Sequence, residues 1–314
     1  MTTPFDWPRE GGGAATPTPE QRTILAVIDF SSSSNYAASR GAQLAREHGA
    51  TLALLHVLQA GGDGPLRDAP LAAARTQLER LAQRLGQQFG VEVSARATRG
   101  DPLREVVEAA RDAHLLVIGS RGRNTLAEFL LGTPAERIIR MARVPALVVK
   151  REASGPYQNI LAPVALSQEA HALVSAALEF SAGADVEVFH ALCLRHEAAL
   201  RTAEFPEPVL GRYRAWGAER ARKAIERVIE AAGGATRARP AVGYGPAPAT
   251  ALRKEADMRP DLVVVGKRHQ SLLADFLLGS VTRRLLSHGR ADALVLPILD
   301  VYPPGGPGGA GRAG

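Results

Sequence analysis

Residues 114–133 read HLLVIGSRGRNTLAEFLLGT, a short apolar run followed by a glycine-rich segment. The run predicts a buried β-strand, and the amphipathic stretch after the segment predicts a helix. The segment has the spacing G-2x-G-9x-G-[ST], with Gly119, Gly122, Gly132 and Thr133 at the fixed positions. Glycines between a buried strand and a helix indicate a place where a phosphate is held.

The residue types of this segment suit an anion. Without a Cβ, Gly119 and Gly122 let the backbone approach phosphate oxygens, and a turn there can aim successive N–H groups at them. Thr133 would cap the next helix, whose first N–H groups attract negative charge. Arg121 adds positive charge beside the loop. The alternative is that the glycines only mark turns, but their place between strand and helix favours phosphate binding.

A second copy of the segment, GKRHQSLLADFLLGS, lies in the second half of the chain. It keeps Gly266, Gly279 and Ser280 but has His269 where the first copy has Gly122. A side chain at a turn that needs positive φ is costly, and an imidazole would crowd a phosphate. We therefore expect a structural domain without nucleotide; the alternative is a changed ligand site. The cations that could hold another anion there are Lys267, Arg268, Arg283 and Arg284.

Both halves predict the same alternation of strands and helices. In the first half, buried strands are predicted at 23–29, 51–58, 91–98, 114–119 and 145–150. In the second half, they are predicted at 159–166, 185–192, 236–243, 261–266 and 292–297. Self-similarity over roughly 130 residues indicates duplication of a whole domain, since solenoid repeats are shorter.

Strands that are apolar on both faces and alternate with helices indicate a parallel sheet covered on both sides. The sequence therefore predicts an α/β fold of two tandem, open, five-stranded, Rossmann-like domains. Ligands of such sheets bind beyond the carboxyl ends of the strands, where the strand order reverses. If that reversal lies between the first and fourth strands, Asp29 and Gly119 face one crevice. The second half has Ala165 at the position of Asp29.

The same patterns predict the domain boundaries. The first domain covers residues 21–150, a linker covers 151–157, and the second domain covers 158–300. Residues 1–20 and 301–314 are rich in glycine and proline, with too little apolar surface to offset the entropy of ordering. We expect both ends to be flexible tails.

Composition narrows the classes of function. The 314 residues carry a formal net charge of +6, which suits anionic ligands but falls short of a nucleic-acid-binding protein. The only cysteine, Cys193, excludes an internal disulfide and fits a reducing compartment. The sequence shows neither a secretory signal nor a run of about 18 apolar residues. We expect a cytoplasmic protein without a membrane partner.

On these residues the chain resembles a tandem universal stress protein, with two UspA-type domains of the adenine nucleotide alpha hydrolase-like fold. In the ATP-binding branch of that family, the glycine motif holds the phosphates and ribose. An aspartate that ends the first strand contacts the ligand, and backbone groups that end the second strand hold the adenine. The resemblance thus implies ATP as ligand, with Mg²⁺ as its candidate counter-ion. The implied ligand contacts are Asp29, Val57, Gly119, Gly122, Gly132 and Thr133.

The match to the family has one departure. Gly100, Asp101 and Pro102 fit its Gly-x-Pro stretch before the third helix. Pro134, however, lacks an N–H, so one phosphate donor found in relatives is missing and the distal phosphates would be held less well. Family members dimerise through their fifth strands, which implies that the two halves pair within this chain. Assembly into a homo-oligomer is the alternative.

The resemblance implies a stress-response protein in which ATP regulates shape or the binding of a protein partner. The alternatives are a slow ATPase or nucleotidyl transferase, and a nucleotide-free interaction scaffold. We single out no catalytic or metal-ligating set. His56 and His190 have the pattern of packed strand residues, and the serine run 31–34 has the marks of a helix cap. Binding is therefore expected rather than catalysis.

Overall fold

The computed structural model describes residues 22–59, 69–120, 134–193, 206–269 and 276–298, with 268, 269, 276 and 277 described by their backbone alone. Both predicted tails and most of the first glycine segment lie outside these residues.

Strands and helices alternate in the first half. Its strands are β1 (Thr23–Val27), β2 (Thr51–Leu58), β3 (Val93–Arg99), β4 (Leu115–Gly119) and β5 (Ala146–Val149). Its helices are α1 (Ser32–His48), α2 (Ala69–Phe89), α3 (Pro102–Ala109) and α4 (Pro134–Met141).

The second half follows the same order. Its strands are β6 (Asn159–Pro163), β7 (Asp185–Leu192), β8 (Ala238–Tyr244), β9 (Leu262–His269), β10 (Phe276–Leu278) and β11 (Asp292–Ile298). Its helices are α5 (Glu169–Phe180), α6 (Glu207–Ala231), α7 (Ala247–Met258) and α8 (Ser280–His288). The sequence patterns predicted these elements apart from β10. In the described part of the chain, none of the helices is long and apolar enough to cross a lipid bilayer.

Local side chains determine where two helices begin. Ser31 precedes α1, and its Oγ accepts a hydrogen bond from the Ser34 N–H at 3.2 Å, which confirms the predicted cap. Asp101 does the same for α3 by accepting from the Arg104 N–H at 3.2 Å, and Pro102 takes the first helical position. Both starts follow the carboxyl end of a strand.

All strands belong to one sheet, in the order β3-β2-β1-β4-β5-β11-β9-β6-β7-β8, with β10 paired to β9. Read from its outer edge, each half has the same strand order, and neighbours within it are parallel except for β10. The order reverses between β1 and β4, and between β6 and β9 in the second half. The condition under which Asp29 and Gly119 lie at the same edge of the sheet is therefore met.

The fifth strand of each half forms the seam between them. β5 and β11 pair antiparallel, with Leu147 opposite Leu294. The expected pairing of the two halves within one chain is therefore present. The halves share one continuous sheet.

The apolar core lies in two layers, one on each face of the sheet. Side chains alternate along a strand, so Ile24 packs in one layer and Leu25 in the other. Each layer contains residues of both halves, since Ile24 and Leu294 share one layer while Leu25 and Val295 share the other. Apolar packing therefore crosses the seam on both faces.

A buried polar cluster also crosses the seam. The Tyr157 hydroxyl donates to Asp292 Oδ2 at 2.8 Å, and the Lys150 N–H donates to Asp292 Oδ1 at 2.8 Å. Arg40 of α1 lies 3.7 Å from the same carboxylate and places its guanidinium 4.2 Å from the centre of the Tyr157 ring. Burial raises the pKa of Asp292 and raises the pKa of Tyr157 well above its usual value. Tyr157, at the end of the predicted linker, is thus anchored to both halves.

Candidate functional site

The carboxyl ends of β1 and β4 meet at one edge of the sheet in the first half. Asp29 lies just past β1, and Gly119 is the last residue of β4. The start of α1 lies against Gly119, because a Cβ added there would come within 2.7 Å of Ser33. Ser33 Oγ is also 3.5 Å from Ser120 Oγ. The glycine at 119 is therefore required by the protein's own packing, a reason beyond the predicted approach of a phosphate.

Asp29 holds the turn that leads into α1. Its Oδ1 accepts hydrogen bonds from the Ser31 N–H at 3.0 Å and from Ser31 Oγ at 2.6 Å. Ser31 is the N-cap of α1, so the Asp29 carboxylate positions the residue with which the helix begins. Asp29 is half-buried at the sheet edge. Its expected contact with a ligand stays a prediction beside this structural role.

The backbone between Asp29 and Ser31 is strained. Phe30 has φ 62°, a left-handed conformation that costs a residue other than glycine about 1 kcal/mol. Its ring packs on His56 with 4.6 Å between ring centroids, and His56 Nδ1 lies 2.6 Å from the Ile28 carbonyl oxygen. The predicted role of His56 as a packed strand residue agrees with these contacts. Sequence reasoning missed Phe30, because nothing in a phenylalanine signals positive φ.

The end of β2 turns backbone groups toward the same edge. The Ile28 N–H donates to the Leu55 carbonyl at 2.8 Å, and the ladder between β1 and β2 ends at Val27 and Leu55. Backbone groups alternate in direction along a strand, so Val57 points its N–H and C=O to the same side as Leu55. That side lies past the end of β1. The backbone groups of Val57 are therefore directed past the end of β1, and their expected contact with adenine stays a prediction.

The other predicted site residues of the first half, Arg121, Gly122, Gly132 and Thr133, lie outside the described residues, so their contacts stay predictions. Helix α4 begins at Pro134, directly after them. The strand before the segment and the helix after it are those that the sequence predicted.

The second half has the same backbone contacts at the carboxyl ends of its strands. The Val164 N–H donates to the Phe189 carbonyl, as Ile28 donates to Leu55, and His190 Nδ1 lies 2.9 Å from the Val164 carbonyl oxygen. Between the ends of β6 and β9 lies a cavity of about 310 Å³. Ala165, at the position of Asp29, is exposed and lines this cavity. A carboxylate is thus absent from the strand end that carries one in the first half.

The prediction that Lys267 could hold an anion in the second half is wrong. Its side chain is fully buried, and Nζ donates to the Ile139 and Ala142 carbonyls at the C-terminal end of α4. Burial lowers the pKa of Lys267 to about 7. Arg283 and Arg284 are exposed on α8. The side chain of Arg268, the remaining candidate, is not among those described.

The length of β9 explains why Lys267 does not lie in a loop that could bind an anion. β9 does not end at Gly266 but continues to His269, and its last residues pair antiparallel with β10. His269 thus belongs to a strand, whereas the sequence placed it in a phosphate loop. Among the described side chains, no cluster of three or more histidine, cysteine, aspartate or glutamate residues could hold a metal ion.

Comparison with known proteins identifies both halves. The sequence model of the universal stress protein family matches residues 21–150 and 156–297. A universal stress protein of Mycobacterium tuberculosis is 30% identical over 141 residues, which cover 43% of this chain and 47% of that protein. One from Methanocaldococcus jannaschii is 30% identical over 140 residues, which cover 41% of this chain and 82% of the relative. The aligned part thus spans about half the length of the mycobacterial relative.

Solved structures share the arrangement of both halves. A universal stress protein of Archaeoglobus fulgidus superposes with a TM-score of 0.67 at 17% identity, covering 88% of this chain and 98% of that one. A Pseudomonas aeruginosa structure superposes with a TM-score of 0.63 at 22% identity, covering 89% and 93%. At these identities the likeness shows the fold alone. Together with the two family matches, it shows that this chain belongs to the universal stress protein family and carries two such domains in tandem.

Proposed function

We propose that the first domain binds an adenine nucleotide, ATP, and that its occupancy regulates the protein's shape or its binding to a protein partner in the stress response. The observation that carries the proposal is the reversal of strand order between β1 and β4, at the carboxyl ends of these two strands. Asp29 and Gly119 lie at its two sides, and the glycine segment joins β4 to α4 there. Open α/β sheets bind ligands at such a reversal.

Different residues at this edge of the sheet suit the purine and the phosphates of ATP. The backbone N–H and C=O of Val57, directed past the end of β1, can pair with the edge of a purine. The start of α1 and the end of β4 lie at the same edge, where N–H groups can face phosphates. Mg²⁺ would accompany the phosphates, because it binds most often through phosphate oxygens and water. The proposal assumes that the protein is cytoplasmic and binds the ATP present there.

A route from ligand to regulation runs through α4. This helix begins directly after the glycine segment, and its C-terminal end is held by Lys267 of the second domain. A ligand that reorders the segment would act on the start of α4, and the helix would carry that displacement to the other half. Binding, rather than turnover, is the function proposed.

Equilibrium dialysis with labelled ATP tests the proposal, using Asp29→Asn as the informative variant. Asparagine keeps an oxygen that accepts from Ser31, so α1 stays capped while the charge is lost. We expect wild type to bind one ATP per chain and Asp29→Asn to bind about tenfold more weakly, because a hydrogen bond to a charged group contributes about 1.5–3 kcal/mol. Asp112→Asn, at an exposed position before β4 at the opposite edge of the sheet, is the matched control.

A second pair of variants compares equivalent positions of the two domains. Gly122→Leu should weaken ATP binding, whereas His269→Leu should leave it unchanged. Absence of binding at millimolar ATP in wild type would contradict the proposal and favour a nucleotide-free scaffold. ATP turnover faster in wild type than in Asp29→Asn would instead show an ATPase.

A further inference from the structure

The cavity of the second domain has no role in the function proposed above. It lies at the carboxyl ends of β6 and β9 and has a volume of about 310 Å³. That volume falls at the lower end of the range for small-molecule sites. The starts of α5, α7 and α8 close its sides, with Ala247 contributed by the first turn of α7.

The lining disfavours a phosphate. Ala165 replaces the strand-end carboxylate, and Glu169 stands where the first domain has Ser33, four residues after that position. A carboxylate in the lining repels an anion, and the low dielectric of a cavity strengthens the repulsion. Lys267, the one basic side chain of β9 that is described, is directed to α4 instead. The described lining keeps Gly279 and Ser280 at the start of α8, but it contains no lysine or arginine to offset the charge of Glu169.

The floor of the cavity is apolar. Leu173, Phe189, Val265 and Ile298 line it, and each is buried. Ile298 also occupies the space beside Gly266, because a Cβ added to that glycine would come within 2.2 Å of Ile298 Cδ1. The space that a glycine offers to a phosphate is thus filled by hydrocarbon.

Several polar groups of the lining already have partners within the protein. Thr282 Oγ1 donates to the Gly266 carbonyl at 2.9 Å, His190 Nδ1 lies 2.9 Å from the Val164 carbonyl, and Ser167 Oγ donates to Glu169 at 3.3 Å. A ligand rich in polar groups would leave many of its own groups unpaired, at a cost in free energy. An apolar ligand would not.

We propose that the cavity between β6 and β9 binds a small, uncharged, mostly apolar molecule, so that the two domains take ligands of different chemical classes. Apolar surface of the ligand would replace water against Leu173, Phe189 and Ile298. Ala191 and Ala247 line the cavity and are half-exposed, so a larger side chain at either position would occupy part of its volume.

N-phenyl-1-naphthylamine, an uncharged probe that fluoresces in apolar sites, tests the proposal on the full chain. We expect saturable binding at one site per chain. Ala247→Trp and, independently, Ala191→Phe should each weaken it at least about tenfold, because their side chains fill the space. Ala256→Trp, on the exposed face of the same helix α7, is the matched control and should bind as wild type does. Circular dichroism verifies that each variant is folded.

Competition separates this site from the proposed nucleotide site. Millimolar ATP and the Asp29→Asn substitution should leave probe binding unchanged. Absence of saturable binding in wild type, or wild-type affinity in both cavity variants, would overturn the proposal. Displacement by ATP would overturn it too, because it would make the cavity a nucleotide site. Failure of ATP binding in the first domain would leave the probe result, and therefore this proposal, unaffected.

Discussion

Lys267 is a buried lysine that the fold accommodates with backbone carbonyls. Its Nζ donates to the Ile139 and Ala142 carbonyls, which lie at the C-terminal end of α4 where the helix dipole is negative. Its desolvation is reflected in a pKa lowered to about 7. A neutral amine still has N–H groups to donate, so these bonds do not require the charge.

The pKa of Lys267 predicts how stability depends on pH. Between the folded pKa of about 7 and the ordinary value of 10.5, the unfolded chain binds a proton that the folded chain does not. The free energy of unfolding should therefore rise with pH by about 1 kcal/mol per pH unit from this group. Lys267→Met removes the effect, so the advantage of wild type over the variant should grow from pH 7 to pH 9.5. Urea denaturation at several pH values measures this difference.

The control for this prediction is Lys223→Met, which removes an exposed lysine of α6. Its difference from wild type should stay constant with pH. A constant difference between wild type and Lys267→Met over the same range would contradict the prediction.

Single residues show what local sequence can and cannot predict. The serine run 31–34 was recognisable as a helix cap, because a cap depends on residues three positions away. Phe30 and Lys267 were not recognisable, because positive φ in the first and burial in the second are imposed by distant packing. The expected ligand contact of Asp29 stays a prediction.

Helices α4 and α8 occupy equivalent places and are held in the same way. Lys150, just past β5, donates from Nζ to the Leu285 and Gly289 carbonyls at the end of α8, at 2.8 and 2.7 Å. Lys267 of the second domain does this for α4 of the first. Each helix that follows a glycine segment is thus fixed at its far end by a lysine of the other domain.

This reciprocal arrangement predicts the effect of Lys150→Met. The methionine keeps the apolar part of the side chain but leaves the Leu285 and Gly289 carbonyls without this donor. The Leu285 carbonyl still accepts from the Gly289 N–H at 2.9 Å, so we expect a loss of about 1–2 kcal/mol in the free energy of unfolding, mainly from the Gly289 carbonyl. Lys223→Met, which breaks only an exposed pair with Glu219, should change it by less than about 0.5 kcal/mol. Equal effects of the two variants in urea denaturation would show that the contacts of Lys150 with α8 do not contribute to the free energy of unfolding.

Elements with strong local patterns were predicted well, and β10 was not. The period of apolar residues indicated every long strand and helix described. Strand β10 has three residues, and it exists because β9 continues past Gly266 to pair with it. Pairing of that kind depends on another element, so no periodicity within residues 276–278 could have predicted it.

At the scale of the whole molecule, the parallel sheet and the tandem repeat were predicted from sequence, whereas the strand order and the buried cluster at the seam were not. Arg40 lies on α1 of the first half and Asp292 opens β11 of the second, so no local pattern links them. Together with the β5–β11 ladder and the two apolar layers, they make the interface between the halves as buried as the interior of each. The two domains are repeats in sequence but share their packing.

This shared packing predicts that both domains unfold in one transition. Apolar layers, a strand ladder and the Asp292 cluster would all be broken if one half opened alone. Differential scanning calorimetry should therefore give a single peak with equal calorimetric and van't Hoff enthalpies.

Asp292→Ala should lower the midpoint of that peak, since leaving Arg40 buried without its carboxylate costs about 3–5 kcal/mol. Asp185→Ala, at an exposed aspartate that opens β7, should shift it little. Two resolved peaks, or a shift confined to one of them in Asp292→Ala, would show that the domains unfold independently and that the seam does not couple them.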